Sequence, residues 1–200
     1  MTFFVNHWPL WFISAAMVVA AVIDGWKLKV PNWLTFPLVL SGWGLGLLHS
    51  FGAFTAWTGS GDIWASLAGT ALGFVLLFPV YAIGGMGAGD VKMQMGFGAW
   101  IGAFYGLWTG LFVVFWAFCL AVVIGGVLAV GLMAVRGQFK QNLANARAIV
   151  GDLLAPTKPG TAAAKAAERK PRLQLLPYGI PLCLGFLSYL AYYEFWAHGA

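Results

Sequence analysis

Apolar residues run along this chain in long blocks divided by short polar breaks. The blocks cover residues 8–23 (extending back to 3), 33–51, 63–83, 93–135 and 173–196. Crossing the hydrocarbon of a bilayer takes about 20 mostly apolar residues in helical form. Four blocks suit one span each, the first being short. The 93–135 block is about twice too long for one span. It predicts two helices parted near 105–110, where glycines and a threonine permit a tight turn. The pattern therefore predicts an all-α membrane protein with six transmembrane helices. It shows neither the strand alternation of a barrel nor an internal repeat. Residues 1–200 read as a single polytopic membrane domain.

Composition agrees. The chain is 61% hydrophobic and 8% charged, whereas a soluble domain carries about 25% charge. The bilayer is the expected solvent and partner, and the 11 Trp and 16 Phe suit helix packing and interfacial belts. The charges then give an orientation. All 11 Lys and Arg fall in one family of loops: Lys27 and Lys29, then Lys92, then residues 136–172. The other family holds Asp62 and Glu194 and no basic residue. Basic loops stay cytoplasmic, so both termini are expected outside. The net charge of +5 then reflects topology, and no nucleic-acid partner is expected. The N-terminus has no basic n-region, so the first block reads as a retained helix rather than a signal peptide.

Within 136–172, Phe139, Leu143, Ala146, Ile149, Val150 and Leu153 recur at helical spacing between Lys140, Asn142, Asn145 and Arg147. That pattern predicts a short amphipathic helix on the cytoplasmic membrane surface, serving as a basic tether or helping to hold a substrate tail. Cys119 and Cys183 lie inside apolar runs with no C-x-x-C pair, and His7, His49 and His198 have no ligand spacing. No metal or organic cofactor is expected.

Six acidic residues remain to be placed. Asp62 and Glu194 lie at outer ends, Asp152 and Glu168 in the long loop. Asp24 and Asp90 each lie at the cytoplasmic end of an apolar run, at similar depth. An ionisable group at a membrane boundary reads as functional by default. Two neighbouring carboxylates do not both ionise easily; sharing one proton, one serves as base and the other as acid. Such a pair activates water for attack on a peptide carbonyl. The competing readings are a helix N-cap for Asp90, a boundary residue for Asp24, and a proton- or ion-coupled transporter using both. Transporters usually hold their site near the midplane between repeated halves, whereas here both carboxylates share one face. A non-catalytic assembly partner is a third class. Ahead of Asp90, four glycines among residues 84–89 exceed what ending a helix requires. They suit close approach of an extended peptide, and no phosphate-loop pattern accompanies them.

Gly87-Ala88-Gly89-Asp90-Val91-Lys92 resembles the G-x-G-D-x-K of the prepilin peptidases, a branch of the G-x-G-D intramembrane aspartyl proteases. Asp24, followed by Lys27 and then Val30-Pro31-Asn32-Trp33-Leu34-Thr35, is similar to the family's first-aspartate segment, and Pro177-Tyr178-Gly179-Ile180-Pro181 to its P-[FY]-G-x-P segment. The presenilin and signal-peptide-peptidase branch matches less well, because Ile23 rather than Tyr precedes Asp24 and Pro177-Tyr178-Gly179 is not P-A-L. The resemblance implies a six-helix peptidase. Asp24 and Asp90 would remove the leader of type IV prepilins or pseudopilins at the cytoplasmic membrane face. Beside them, Gly87 and Gly89 would let substrate backbone approach, Lys92 would hold a substrate group by charge, and Pro177, Tyr178 and Gly179 would line the cleft. The chain lacks the cysteine-bearing insert of the long forms and resembles the short forms of tight-adherence (Flp-type) pili, so no N-methyltransferase activity is expected.

Overall fold

The structure is a computed structural model describing residues 7–53, 59–82, 85–135 and 177–197. Among these residues there are six α-helices and no strand: α1 (Trp8–Lys27), α2 (Asn32–Ser50), α3 (Ile63–Ala82), α4 (Ala88–Tyr105), α5 (Leu107–Val135) and α6 (Gly179–Tyr192). A π-helical turn, Tyr193–Ala197, continues α6. The all-helical expectation holds. Three helices are long and apolar enough to cross a membrane: α1, α3 and Leu107–Leu132 of α5. The other three interrupt their apolar runs or are shorter; α2 carries Thr35, Gly42, Gly46 and His49 at inward positions and α4 carries Gln94 and several glycines. Residues 136–172, with the expected amphipathic helix, Gly84, and residues 173–176 of the sixth block lie outside the described residues.

The long fourth block divides at a single residue. Gly106 links α4 to α5 at φ 81, a left-handed-side conformation that glycine adopts without steric cost. Two helix ends run further than hydropathy alone suggested. α1 continues through Asp24 to Lys27, where Leu28, at φ 51 and ψ 33, closes it in the αL conformation. α4 begins at Ala88, five residues ahead of the apolar block, so Asp90 stands in its first turn. Pro37 and Pro79 lie inside α2 and α3.

α4 is the centre of the fold, and nearly all of it is buried, chiefly against α3 and α2. The α3–α4 seam is built from residues without side chains. A Cβ on Gly69 would run into the Gly98 backbone, one on Gly73 into Gln94, and one on Gly102 into Ala65. Such close backbone contact replaces the water-driven burial that lipid does not supply. Hydrogen bonds fasten the same core: Ser66 Oγ donates to the Ala99 carbonyl at 2.9 Å, His49 Nδ1 to the Ala103 carbonyl at 2.9 Å, and Trp100 Nε1 to the Leu38 carbonyl at 3.0 Å. α6 packs on α5 through Gly185 against Ala121, and its first turn meets the end of α1. The outward faces carry Val122, Val123, Val127, Phe112 and Trp116, all exposed. An apolar exterior around a core of small and polar residues suits a lipid surround.

Candidate active site

The last turn of α1 supplies Asp24. Its main chain is held by the helix cap, because the Leu28 N–H donates to the Asp24 carbonyl at 2.8 Å. Its side chain is 3% exposed. Asp24 Oδ2 accepts a hydrogen bond from the Gly179 N–H at 2.9 Å, at the start of α6. That N–H belongs to the helix end where the backbone dipole favours negative charge. The contact depends on glycine: a Cβ on Gly179 would lie 3.0 Å from both Cβ and Oδ2 of Asp24.

Asp90 comes from the first turn of α4 and is 5% exposed. It is the third helical residue rather than the N-cap, which is Gly87. Asp90 Oδ2 accepts a long bond, 3.3 Å, from the Gly87 N–H; this is the carboxylate half of a capping box. Asp90 Oδ1 is buried and has no hydrogen-bond partner among the described residues. The two carboxylates interact electrostatically and both border one cavity of about 350 Å3.

The polar wall of that cavity is drawn from three elements. From the α1–α2 turn come Lys29, Val30 and Asn32; from the start of α4, residues 86–90 and Lys92; from the start of α6, Tyr178. Tyr178 faces the Asp90 carboxylate closely enough to feel its charge. Gly87 lies on the cavity in an extended conformation, φ −80 and ψ 150. A Cβ there would make only an ordinary contact, 3.4 Å from Asp90 Oδ2.

Gly89 does something the glycine pattern did not suggest. A Cβ on it would lie 2.8 Å from the Val30 carbonyl and 3.0 Å from Val30 Cβ. The backbone that approaches Gly89 is thus the protein's own 28–31 turn. Lys92 likewise meets the protein's own chain, in an exposed contact. Its Nζ donates to Asn32 Oδ1 at 2.9 Å and sits 4.4 Å from the centre of the Phe36 ring. Gly89 and Lys92 together hold the start of α2 against the start of α4.

Asn32 had no role in the sequence reading, although its position in the Val30-Pro31-Asn32 segment was visible. Its importance comes from a contact 60 positions away, which spacing does not reveal. Lys29 borders the cavity and Lys27 does not. Pro177 precedes the α6 turn without bordering it, and Tyr178 and Gly179 carry the contacts of that segment.

The arrangement offers two buried carboxylates on one cavity of about 350 Å3, one anchored across the fold and one with an unpartnered acceptor oxygen. Among the described residues no cluster of three or more His, Cys, Asp and Glu side chains is placed to hold a metal. The model of the family described as "Type IV leader peptidase family" matches residues 11–130. That stretch contains both aspartates and the whole α4 seam; the 177–179 segment lies beyond it. No curated protein and no solved structure matches the chain.

Proposed function

The chain belongs to the type IV leader peptidase family, a family of membrane proteases, and we propose that it removes the leader of type IV or Flp-like prepilins or pseudopilins through an Asp24–Asp90 dyad. The observation that supports this most is the meeting of two otherwise isolated, buried carboxylates on one cavity, from helices 66 positions apart in sequence.

The chemistry follows from the groups present. One carboxylate takes a proton from water as the water attacks the scissile carbonyl carbon. The other, protonated, donates to the carbonyl oxygen. The tetrahedral species then collapses: the C–N bond breaks, the departing amine takes the proton held by one carboxyl, and a hydroxyl of the tetrahedral species returns a proton to the other carboxylate. Asp90 Oδ1, buried and without a hydrogen-bond partner among the described residues, is an acceptor open to the water, whereas Oδ2 of Asp24 and Oδ2 of Asp90 already face backbone N–H groups. The scheme draws on no metal or organic cofactor and involves no methyl transfer.

All six helices cross the membrane in this reading, with the dyad, Lys29 and Lys92 at the cytoplasmic face and both termini outside. The complete segregation of Lys and Arg to one family of loops supports that orientation. The apolar helix of the substrate lies against the spans while its polar leader reaches the cavity, where Gly87, Tyr178 and the Lys29 ammonium border its path. Gly89 and Lys92 border the same cavity and also brace its wall, through Val30 and Asn32. A transporter reading would need a route past the carboxylates. Against it stands α4, which fills the middle of the bundle with Phe97, Trp100 and Ile101.

Coexpression with a candidate prepilin tests the reading by leader removal on a gel. Asp24→Asn and Asp90→Asn are each expected to stop processing while inserting at normal levels. Full processing by either variant would sink the dyad. Substrate capture without cleavage by the unaltered chain would favour an assembly partner, and ion-dependent solute uptake in proteoliposomes a transporter.

A further inference from the structure

At the end of the molecule far from the aspartates, α1 and α6 part to leave a groove of about 270 Å3. Its walls are mostly apolar: Leu10 and Trp11 from α1, Leu187 and Leu190 from α6, and Phe195 from the π-helical turn. Trp11 and Phe195 are exposed, so the groove opens sideways, toward the surface that meets lipid. Its polar end is Glu194, whose side chain is only 9% exposed. The carboxylate accepts a hydrogen bond from the Tyr105 hydroxyl at the end of α4. Its second oxygen lies 3.3 Å from Nε2 of His7, just ahead of α1.

A buried carboxylate beside an apolar slot is unfavourable without partners; the Tyr105 hydroxyl and His7 Nε2 take one acceptor position on each oxygen of Glu194 and leave others open toward the groove. Three elements converge on this one, although the proposed chemistry does not use it. The size of the groove says what it takes. One turn of α-helix, about 10 Å across and 5.4 Å long, fills roughly 420 Å3, so a substrate helix does not enter. A single alkyl chain does: at about 30 Å3 per carbon, close to the share of one water molecule in the liquid, the groove holds about nine carbons. The charge says which amphiphile. The polar segments at this end hold Asp62 and Glu194 and no Lys or Arg, which suits a cationic group and not an anionic one.

We propose that this groove binds one acyl chain of an amine-headed phospholipid, with the ammonium resting against Glu194. The site is separate from the cavity of the aspartates. The test is native mass spectrometry of the full chain after equilibration with vesicles of phosphatidylethanolamine or of phosphatidylglycerol with identical acyl chains. One retained phosphatidylethanolamine is expected, favoured by about tenfold, the ratio that one charge-assisted hydrogen bond supplies. Glu194→Gln is expected to erase the headgroup preference. Leu187→Trp, which fills the groove, is expected to abolish retention of either lipid, and Ala191→Trp serves as the second filling variant should the first fail to insert. Helix content and elution volume check that each variant folds. Equal retention of the two lipids by the unaltered chain, or a preference that survives Glu194→Gln, overturns the headgroup assignment. Absence of a retained lipid, or retention unchanged by a folded filling variant, overturns the site.

Discussion

The end of α1 and the start of α4 each present a buried aspartate to the same cavity, and they hold it in opposite ways. Asp24 is tied to a distant part of the chain: its oxygen meets an N–H of α6, 155 positions on. Asp90 is tied to its own first turn, through an N–H three residues back. Local sequence alone therefore fixes Asp90, whereas Asp24 is in place only when α6 has docked. Moreover, α4 is locked to α3 by backbone contact at Gly69, Gly73, Gly98 and Gly102, so Asp90 stands on the rigid side of the site. If the dyad adjusts when substrate enters, the α1–α6 side is the one that moves.

The largest expected effect tests whether the two carboxylates act as a unit. Asp24→Asn and Asp90→Asn should each lower the leader-cleavage rate by roughly 10²–10⁴-fold. The double variant should be no slower than either single one, as for groups that work together. Multiplying losses would mean two independent contributions and would break the pairing.

Next in size is Gly179→Ala, which strikes the long-range tie alone. The added methyl would lie 3.0 Å from Asp24, and displacing a reacting group by about 1 Å costs on the order of a hundredfold. Cleavage should fall by that order while membrane insertion stays normal. Unchanged cleavage would show that the α6 N–H does not position Asp24.

Gly89→Ala probes the wall between the two regions. Its methyl would meet the Val30 carbonyl at 2.8 Å, and overpacking of this kind costs about 1–3 kcal/mol. A lower thermal midpoint in detergent is expected, with slower cleavage. If Gly89 instead served to admit substrate, the midpoint would hold while KM alone rose.

The smallest effect belongs to Gly87→Ala. The backbone there is extended and the new methyl makes an ordinary contact. Stability should change by less than about 0.5 kcal/mol and cleavage by no more than about threefold. A large loss would show that Gly87, on the local side, admits the substrate backbone.

Much of the architecture was legible because lipid imposes a simple rule. Apolar blocks of span length gave the helices, and the glycines and threonine near 105–110 gave the break at Gly106. Asp24 and Asp90 stood out because so few charges lie near apolar blocks. The contacts that make them a site were harder to see. Nothing in the spacing says that Gly179 N–H reaches Asp24, that Gly89 is filled by Val30, or that Lys92 is held by Asn32. Each joins segments far apart, and glycine in particular reports that something comes near without saying what. Hydropathy also missed the true start of α4, because Ala88, Gly89 and Asp90 form a helical turn through hydrogen bonding rather than apolarity.

The one-residue link at Gly106 bears on how the protein is made. α4, which carries Asp90, is not among the helices apolar enough to cross a membrane unaided, while α5, joined to it by a single glycine, is the most apolar of those that are. If all six helices cross as proposed, the absence of a loop between these two means that they cannot enter the bilayer in separate events. A chain emerging from the ribosome would have to deliver them together, as a preformed hairpin, so that half of the proposed catalytic pair reaches its depth as the passenger of its neighbour.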